Sequence, residues 1–412
     1  MSGTVDKYEV GTRHPETGRY VRYRVRYELP PDPYTGKRRQ AQRGGFPTLA
    51  AAERYRDEVA GSVRSGSYVP PSRQRLATYL ASWLDSLSVK ETTRDNYRTS
   101  VEVHVIPRLG GIALSELTAE EVDGLYRTLE RHGKSAGACR TAGVTCREHR
   151  CAPDRHEGLS PKSVRHVHTA LRKALEDAMQ RGYVGRNVAD LANPPTQRAA
   201  TGRRARDKAW TSTQLRSFLD VTASDRLAPL WHLLSTTGLR RGEALGLRWS
   251  DLNLDRSKLR VAQTVTEVRG RLIVQASGKT DAAERTLSLD ASTVEVLRRW
   301  RLRQLEERMA WPGEWPSGDL VFTRQDGEGL RPKRLSSDFV EAAARASLPA
   351  IGMHGLRHSY ATAALRAGVS PEVVSKRLGH SSVVMTLSTY AHVFEQDDEA
   401  AAELAAAAIL GA

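Results

Sequence analysis

The sequence predicts an α+β, multidomain protein: a small N-terminal β-sheet with one helix, an all-helical segment, and a mainly helical segment holding a small antiparallel sheet. Three observations predict it. At 412 residues the chain exceeds the size at which one hydrophobic core keeps growing, so two or three domains are expected. Residues 21–27 alternate between apolar and basic, the period of a strand, whereas Leu76, Leu80, Trp83, Leu84 and Leu87 recur at the period of a helix. Beyond Trp210 both periods occur in one stretch.

In order along the chain, Val21, Tyr23, Val25 and Tyr27 face one way and Arg22, Arg24 and Arg26 the other, so one face packs and the opposite face is an arginine comb. Pro30, Pro31, Pro33 and Gly36 make a turn, Lys37 to Arg43 returns as a second strand, and Leu49 to Val63 reads as a helix. Pro70-Pro71-Ser72 marks a boundary. Helices then follow from Leu76, from Thr92 to about Val105, from Ser115 to Leu129 with a Thr118/Glu121 capping box, and from Ser160 to Arg181 with Pro161 at the first position. Asn193-Pro194-Pro195 ends this segment, and Arg198 to Lys208, with Arg203 and Arg204, reads as an extended basic linker. Thr211 and Gln214 start a further helix, and another runs from Ser224 to near Gly238. Strands are expected at about Lys258 to Val268, Arg271 to Gln275 and Glu284 to Leu289, with helices over the remainder. The resulting division is 1–68, 75–195 with an insertion at 132–158, a linker at 196–209, 210–395, and a tail at 396–412.

A balance of 63 Lys+Arg against 48 Asp+Glu gives +15, which suits a polyanionic partner. The charge is dense early: from Arg13 to Arg43 nine basic residues stand against three acidic ones, several of them alternating with tyrosines. Arg22, Arg24, Arg26, Lys37, Arg38 and Arg39 are therefore candidates for contact with DNA, in preference to a solvated edge strand defended by charge. Met1 to Val10 lacks the pattern of a signal peptide, and no apolar run reaches the roughly 18 residues needed to span a bilayer, so no membrane is expected. All three cysteines, Cys139, Cys146 and Cys151, fall in the insertion with His149 and His156. Three thiolates and an imidazole have the number and type of ligands for a structural zinc, but the spacing is not a paired CxxC, and a polar loop with incidental thiols is preferred. So few thiols in so long a chain fit a reducing cytoplasm.

Chemistry-bearing residues concentrate later. Arg240 follows Gly238, where one helix gives out and another begins, and its forked donors suit two oxygens of one phosphate; Glu243, three residues on, can hold it in place. Lys279, in Gly278-Lys279-Thr280, sits in the turn between two strands. His354 and Arg357 lie three apart on a helix running to about Ala367, so both project to one face; His358 and Tyr360 read as packing residues. His380 lies on the tight connection after Gly379, and Tyr390 follows. A phenol ionises near pH 10, so a nucleophilic tyrosine needs surrounding cations and an imidazole, and both are in the sequence. Taken singly, each has a bland reading as a surface arginine, a turn lysine or a helix cap.

Taken together, Gly238-Leu239-Arg240, Gly278-Lys279-Thr280, His354-Gly355-Leu356-Arg357, Leu378-Gly379-His380 and Tyr390, in that order, resemble the tyrosine recombinases, or phage integrases, over about residues 75–395. Departures are the cysteine-bearing insertion and Gly242, where many relatives have another small residue. The resemblance implies that Tyr390 attacks a phosphodiester to give a 3′-phosphotyrosyl bond, that Arg240 and Arg357 clamp the phosphate with Glu243 orienting Arg240, and that His380 donates to a phosphate oxygen. It implies that His354 helps accept the phenol proton and that Lys279 protonates the departing 5′ oxygen. No nucleotide or metal cofactor is then required. It further implies an arm-type DNA-binding domain at 1–68, a core-binding domain at 75–195, a catalytic domain at 210–395, and a tail helix that docks on a neighbouring subunit. The expected assembly is a homo-tetramer on double-stranded DNA, integrating and excising a phage, plasmid or conjugative element, with an accessory directionality factor as a further partner. The alternatives are a type IB topoisomerase-like relaxing enzyme and a non-catalytic DNA-binding regulator. A metal-dependent integrase is disfavoured because no carboxylate cluster stands out.

Overall fold

The computed structural model describes residues 3–9, 21–29, 37–64, 74–132, 158–196, 209–276, 284–316, 318–394, 406 and 409–410. The cysteine-bearing insertion, most of the basic linker and nearly all of the tail from 396 lie outside them. Two compact units divide the chain, Met1–Gly202 and Arg203–Ala412. Among the described residues no helix is long and apolar enough to cross a membrane.

The first unit opens with an antiparallel sheet, β1 (Gly3–Glu9), β2 (Val21–Leu29) and β3 (Arg39–Phe46), in the order β1-β2-β3, followed by α1 (Leu49–Arg64). Val25 and Tyr27 pack with Ala52 and Val59 of α1, as the alternation requires. β1 was not expected, because its short, mostly polar sequence carries no period of its own; it forms by pairing along β2, from Gly3 opposite Tyr27 to Glu9 opposite Val21. The arginine comb is partly engaged within the sheet. Arg24 lies over the Tyr8 ring at 5.1 Å, and Arg26 pairs with Asp6 at 3.3 Å.

Helices α2 (Leu76–Ser86), α3 (Glu91–Arg98), α4 (Ile106–Leu109), α5 (Ala119–His132) and α6 (Pro161–Gln180) make the rest of the described unit. The single helix expected over 92–105 instead widens into a π-helical stretch, Thr99–Val105, before α4. Pro107 is the physical reason: it lacks the N–H that would reach Val103 four residues back. Ile106 N–H donates to Val101 O, and the Arg108 guanidinium reaches His104 O at 3.1 Å. Trp83 is fully buried among these helices, and its indole N–H donates to Asp177 at 2.8 Å.

In the second unit α7 (Ser212–Val221), opened by a capping box of Thr211 and Gln214, precedes α8 (Ala228–Thr237) and α9 (Arg241–Leu245). A small sheet in the order β4 (Leu252–Asn253), β5 (Lys258–Val261), β8 (Arg285–Ser288) and a separate hairpin of β6 (Gln263–Val268) and β7 (Arg271–Ala276) follow. The strand expected over 258–268 is thus two strands in different sheets. The remaining helices are α10 (Ala291–Ala310), α11 (Pro332–Arg345), α12 (His354–Arg366), α13 (Pro371–Leu378) and α14 (Val383–Phe394). Trp210, Phe218, Trp231 and Phe339 interlock at the centre of the main core. A second, smaller cluster of Ala361, Leu365, Val374, Leu378 and Tyr390 joins α12, α13 and α14.

Truncating Trp83 to alanine opens a large cavity and takes a donor from Asp177, so the expected loss is about 3–5 kcal/mol, measured as a fall in the urea midpoint of the first unit's transition in the full chain.

Candidate active site

The site is assembled around the end of α13. Gly379 (φ 66°) and His380 close that helix in a Schellman turn: Gly379 N–H donates to Lys376 O and His380 N–H to Ser375 O, both at 3.1 Å. This turn leaves the carbonyls of Arg377, Leu378 and Gly379 without helical donors, and a different arginine takes each. Arg285 Nε donates to Arg377 O at 2.7 Å, Arg357 Nη2 to Leu378 O at 2.6 Å, and Arg240 Nη2 to Gly379 O at 3.2 Å. Three guanidiniums from β8, α12 and the start of α9 thus meet at the negative end of one helix dipole.

Glu243 supplies the counter-charge. It is buried, accepts Arg240 N–H at 2.8 Å and Arg240 Nη1 at 2.7 Å, and forms a two-pronged pair with Arg285 at 3.1 and 3.0 Å. Burial alone works against its ionisation, but the hydrogen bonds and charges of Arg285, then Arg240, outweigh it and hold the carboxyl below its ordinary value. Gly238, the left-handed end of α8 (φ 66°), brings Arg240 into position; a Cβ there would stand 2.4 Å from the Tyr360 ring. Its carbonyl accepts the second prong of Arg357 at 2.9 Å. Arg357 is only 2% exposed and Arg240's side chain 41%, so Arg240 is the guanidinium of the pair that reaches solvent. Burial, then the charge of Arg240, pushes Arg357 down from its ordinary value, and it remains a cation at neutral pH.

His354, His358 and Tyr390 complete the centre. Desolvation by the surrounding protein, then the charges of Arg357 and Arg240, lowers the His354 imidazole; the same causes push His380 down to about 4. Both rings are therefore neutral at pH 7. His380 Nδ1 shares a 2.8 Å hydrogen bond with the buried hydroxyl of Thr386. The Tyr390 hydroxyl lies 2.8 Å from Nδ1 of His358, and the His358 ring meets His354 edge-on at 4.8 Å between centroids.

Two expectations are corrected here. The imidazole touching the phenol belongs to His358, read from sequence as packing, and not to His354. Positions 354, 357 and 358 are i, i+3 and i+4 of one helix, so all share a face, and the i, i+4 histidine pair was the signal available. Nor is the phenol activated in this conformation: Tyr390 is 1% exposed, and burial pushes it up to about 12 despite the lowering effect of Arg357. Its backbone (φ −112°, ψ 18°) breaks the helical geometry of α14 at that residue. Tyr360 is a packing residue as read, its hydroxyl accepting from Arg377 Nε at 2.5 Å.

Arg285 was missed. Its signal was register, since it shares the inward side of β8 with buried Leu287. Lys279 lies outside the described residues; the strands on either side of it, β7 and β8, belong to different sheets. Also outside are Arg203, Arg204, Cys139, Cys146, His149, Cys151 and His156. Among the described residues no group of three or more His, Cys, Asp and Glu is placed to hold a metal. Of the early basic residues, Lys37 and Arg38 are exposed, Arg22 is half-buried, and Arg39 opens β3. A groove of about 670 Å³ opens on the β8 side of His380, lined by Lys376, Arg377, Ser381 and Ser382 among others.

Residues 209–397 match the phage integrase family, and every described member of the clustered arginine, histidine and tyrosine set falls inside that span. Residues 209–397 therefore form a phage integrase domain, the family of the tyrosine recombinases. The chain is 24% identical over 377 residues to a XerC-like tyrosine recombinase of Caldanaerobacter subterraneus subsp. tengcongensis, covering 86% of this chain and 89% of that one. An integrase of Streptomyces ambofaciens is 27% identical over 364 residues, covering 86% and 85%. Among solved structures, the Tn1549 transposon integrase in complex with circular intermediate DNA superposes with a TM-score of 0.58 at 19% identity, over 80% of this chain and 99% of that one. A lambda integrase tetramer bound to a Holliday junction gives 0.54 at 18%, over 89% and 91%. These likenesses show that the chain has the multidomain α+β integrase fold.

Glu243→Ala takes the carboxylate away from the buried Arg285 guanidinium, and the expected cost is about 3–5 kcal/mol in a denaturant titration. Acid works in the same direction. A carboxyl lowered by folding stabilises fully above its unfolded value and loses that contribution as pH falls through the folded one. His380 adds to the loss as pH falls from 6.5 to about 4, because the unfolded imidazole takes its proton first. A stability profile that stays flat over that interval would contradict the His380 contribution, and one that stays flat on further acidification through and below the ordinary carboxylate range would contradict that of Glu243.

Proposed function

We propose that this recombinase cuts and rejoins double-stranded DNA through Tyr390, forming a 3′-phosphotyrosyl intermediate and integrating and excising a mobile element. The observation that carries the reading is the convergence at one helix end: Arg240 and Arg357 share the terminal carbonyls of α13, and the Tyr390 hydroxyl is hydrogen-bonded to the residue that follows Arg357. In the proposed reaction Arg240 and Arg357 exchange carbonyl partners for the non-bridging oxygens of the scissile phosphate, whose charge grows in the transition state. Arg240, the more exposed, engages first, and Glu243 fixes its approach. Neutral His380 donates from its ring to a phosphate oxygen while Thr386 holds the other nitrogen. Lys279 protonates the departing 5′ oxygen.

The buried phenol fits a resting state. A tyrosine with its hydroxyl covered and its ionisation suppressed does not attack esters in the surrounding solvent, and DNA binding must uncover it before cleavage. The backbone break at Tyr390 supplies a point about which it can turn. Because the energy of the broken bond is kept in the protein linkage, resealing needs neither nucleotide nor metal.

The solved relatives are complexes with DNA, one of them a tetramer on a Holliday junction. By that analogy the assembly proposed for this chain is a homo-tetramer acting in the cytoplasm. The sheet of β1–β3 serves as an arm-type DNA-binding domain through Arg22, Arg24, Arg26, Lys37, Arg38 and Arg39, and residues 75–195 as a core-binding domain. The division at 68 and 195, the linker contacts of Arg203 and Arg204, and an accessory directionality factor belong to the same proposal.

Nicked duplex carrying the element's own end should trap a covalent adduct mapped to Tyr390, present with wild type and absent with Tyr390→Phe, and unaffected by a chelator. Arg240→Lys, which keeps charge but loses the fork, should slow adduct formation on the order of 100-fold. Supercoil relaxation without recombinant products would instead favour a type IB topoisomerase, and recombination by Tyr390→Phe would overturn the assignment of the nucleophile.

A further inference from the structure

Within the site, the proton that the nucleophile must lose has an acceptor in reach. A buried hydroxyl hydrogen donates to something, and among the described residues the partner of the Tyr390 hydroxyl is His358 Nδ1, 2.8 Å away. In the tautomer that carries its hydrogen on Nε2, His358 presents its Nδ1 lone pair to the phenol. The other two imidazoles are turned elsewhere. His380 Nδ1 is engaged with Thr386, and His354 packs its ring edge-on against His358 at 4.8 Å between centroids.

We propose that His358 is the general base of the cleavage step, with His354 holding its ring in place. The proposal rests on Tyr390 being the nucleophile. As the reaction proceeds, the Oη–H bond of Tyr390 breaks and its hydrogen passes to His358 Nδ1, giving an imidazolium. The oxygen's electron pair forms the bond to phosphorus. The P–O5′ bond breaks, its pair leaves on the 5′ oxygen, and that oxygen takes its proton from the acid on the opposite side of the phosphate. On resealing, the incoming 5′ hydroxyl gives its hydrogen back to the deprotonated acid and its oxygen displaces that of Tyr390 from phosphorus, and the released phenolate recovers its hydrogen from the imidazolium. No other reactant is needed.

His358 Nδ1 sits within the 2.6–3.2 Å reach that proton abstraction requires. His358 is carried by α12 one residue beyond Arg357, so base and phosphate clamp are fixed on one rigid turn. Among the described residues, the titratable and charged groups facing His358 are His354 and the adjacent Arg357 on α12, Tyr390 on α14, and His380 at the α13–α14 connection.

The test uses the full chain and a nicked duplex in single turnover, scoring the Tyr390 adduct. His358→Ala and His358→Gln should each bind the duplex as wild type does and form adduct on the order of 100-fold more slowly. Added imidazole should restore His358→Ala, with the rescued rate following the neutral fraction of imidazole as pH is varied. Glutamine keeps a hydrogen-bonding side chain but cannot take a proton, so a His358→Gln enzyme as fast as wild type overturns the proposal. A slow His358→Ala enzyme that imidazole leaves slow overturns it as well. Failure of the underlying reading looks different: wild type would then form no adduct, or one that does not map to Tyr390.

Discussion

The catalytic unit depends on the way one short helix ends. A Schellman turn satisfies some of the terminal carbonyls of α13 and leaves those of Arg377, Leu378 and Gly379 open. Open carbonyls at the negative end of a helix dipole are receptors for cations. Arginines at positions 240, 285 and 357, far apart in sequence, are gathered there by hydrogen bonds of 3.2, 2.7 and 2.6 Å. Three cations so close would repel one another, and the single buried carboxylate of Glu243, paired with two of them, offsets one of the three charges. The remaining positive excess is what an anionic phosphate would meet.

This arrangement separates building from binding. Arg285 is buried with both prongs on Glu243, so it holds the frame. Arg357 is buried but bound to neutral carbonyls, and Arg240 is half open to solvent. A phosphate competes for the donors of the last two far more easily than for those of the first, because replacing a neutral acceptor with a charged one strengthens the bond. The same preformed frame keeps His354 and His380 neutral at physiological pH, available as donors or acceptors and adding no further repulsion.

The proposed nucleophile is placed by a different logic. Tyr390 is a core residue of the α12–α14 cluster, so the ring assigned to the phosphate also helps to stabilise the fold around it. Its burial makes the phenol harder to ionise than in water. In the proposed reaction a movement reconciles burial with reactivity, and α14 departs from helical geometry at that one residue.

Local signals in the chain were enough for the fold class, for the order and spacing of Arg240, His354, Arg357, His380 and Tyr390, and for several helix ends, because caps, glycines and hydrophobic periods act over a few neighbouring residues. The Thr118/Glu121 and Thr211/Gln214 boxes and the turns at Gly238 and Gly379 were legible in this way. The pairing of β1, the parting of β5 from β6, the role of Arg285 beneath Glu243, and the choice of His358 over His354 at the phenol emerged only in three dimensions. Each of these depends on which distant segment arrives opposite a residue, and hydrogen bonds and charges reach only a few ångströms, so a local pattern such as the β8 register of Arg285 or the i, i+4 histidine pair could mark a face but not name its partner.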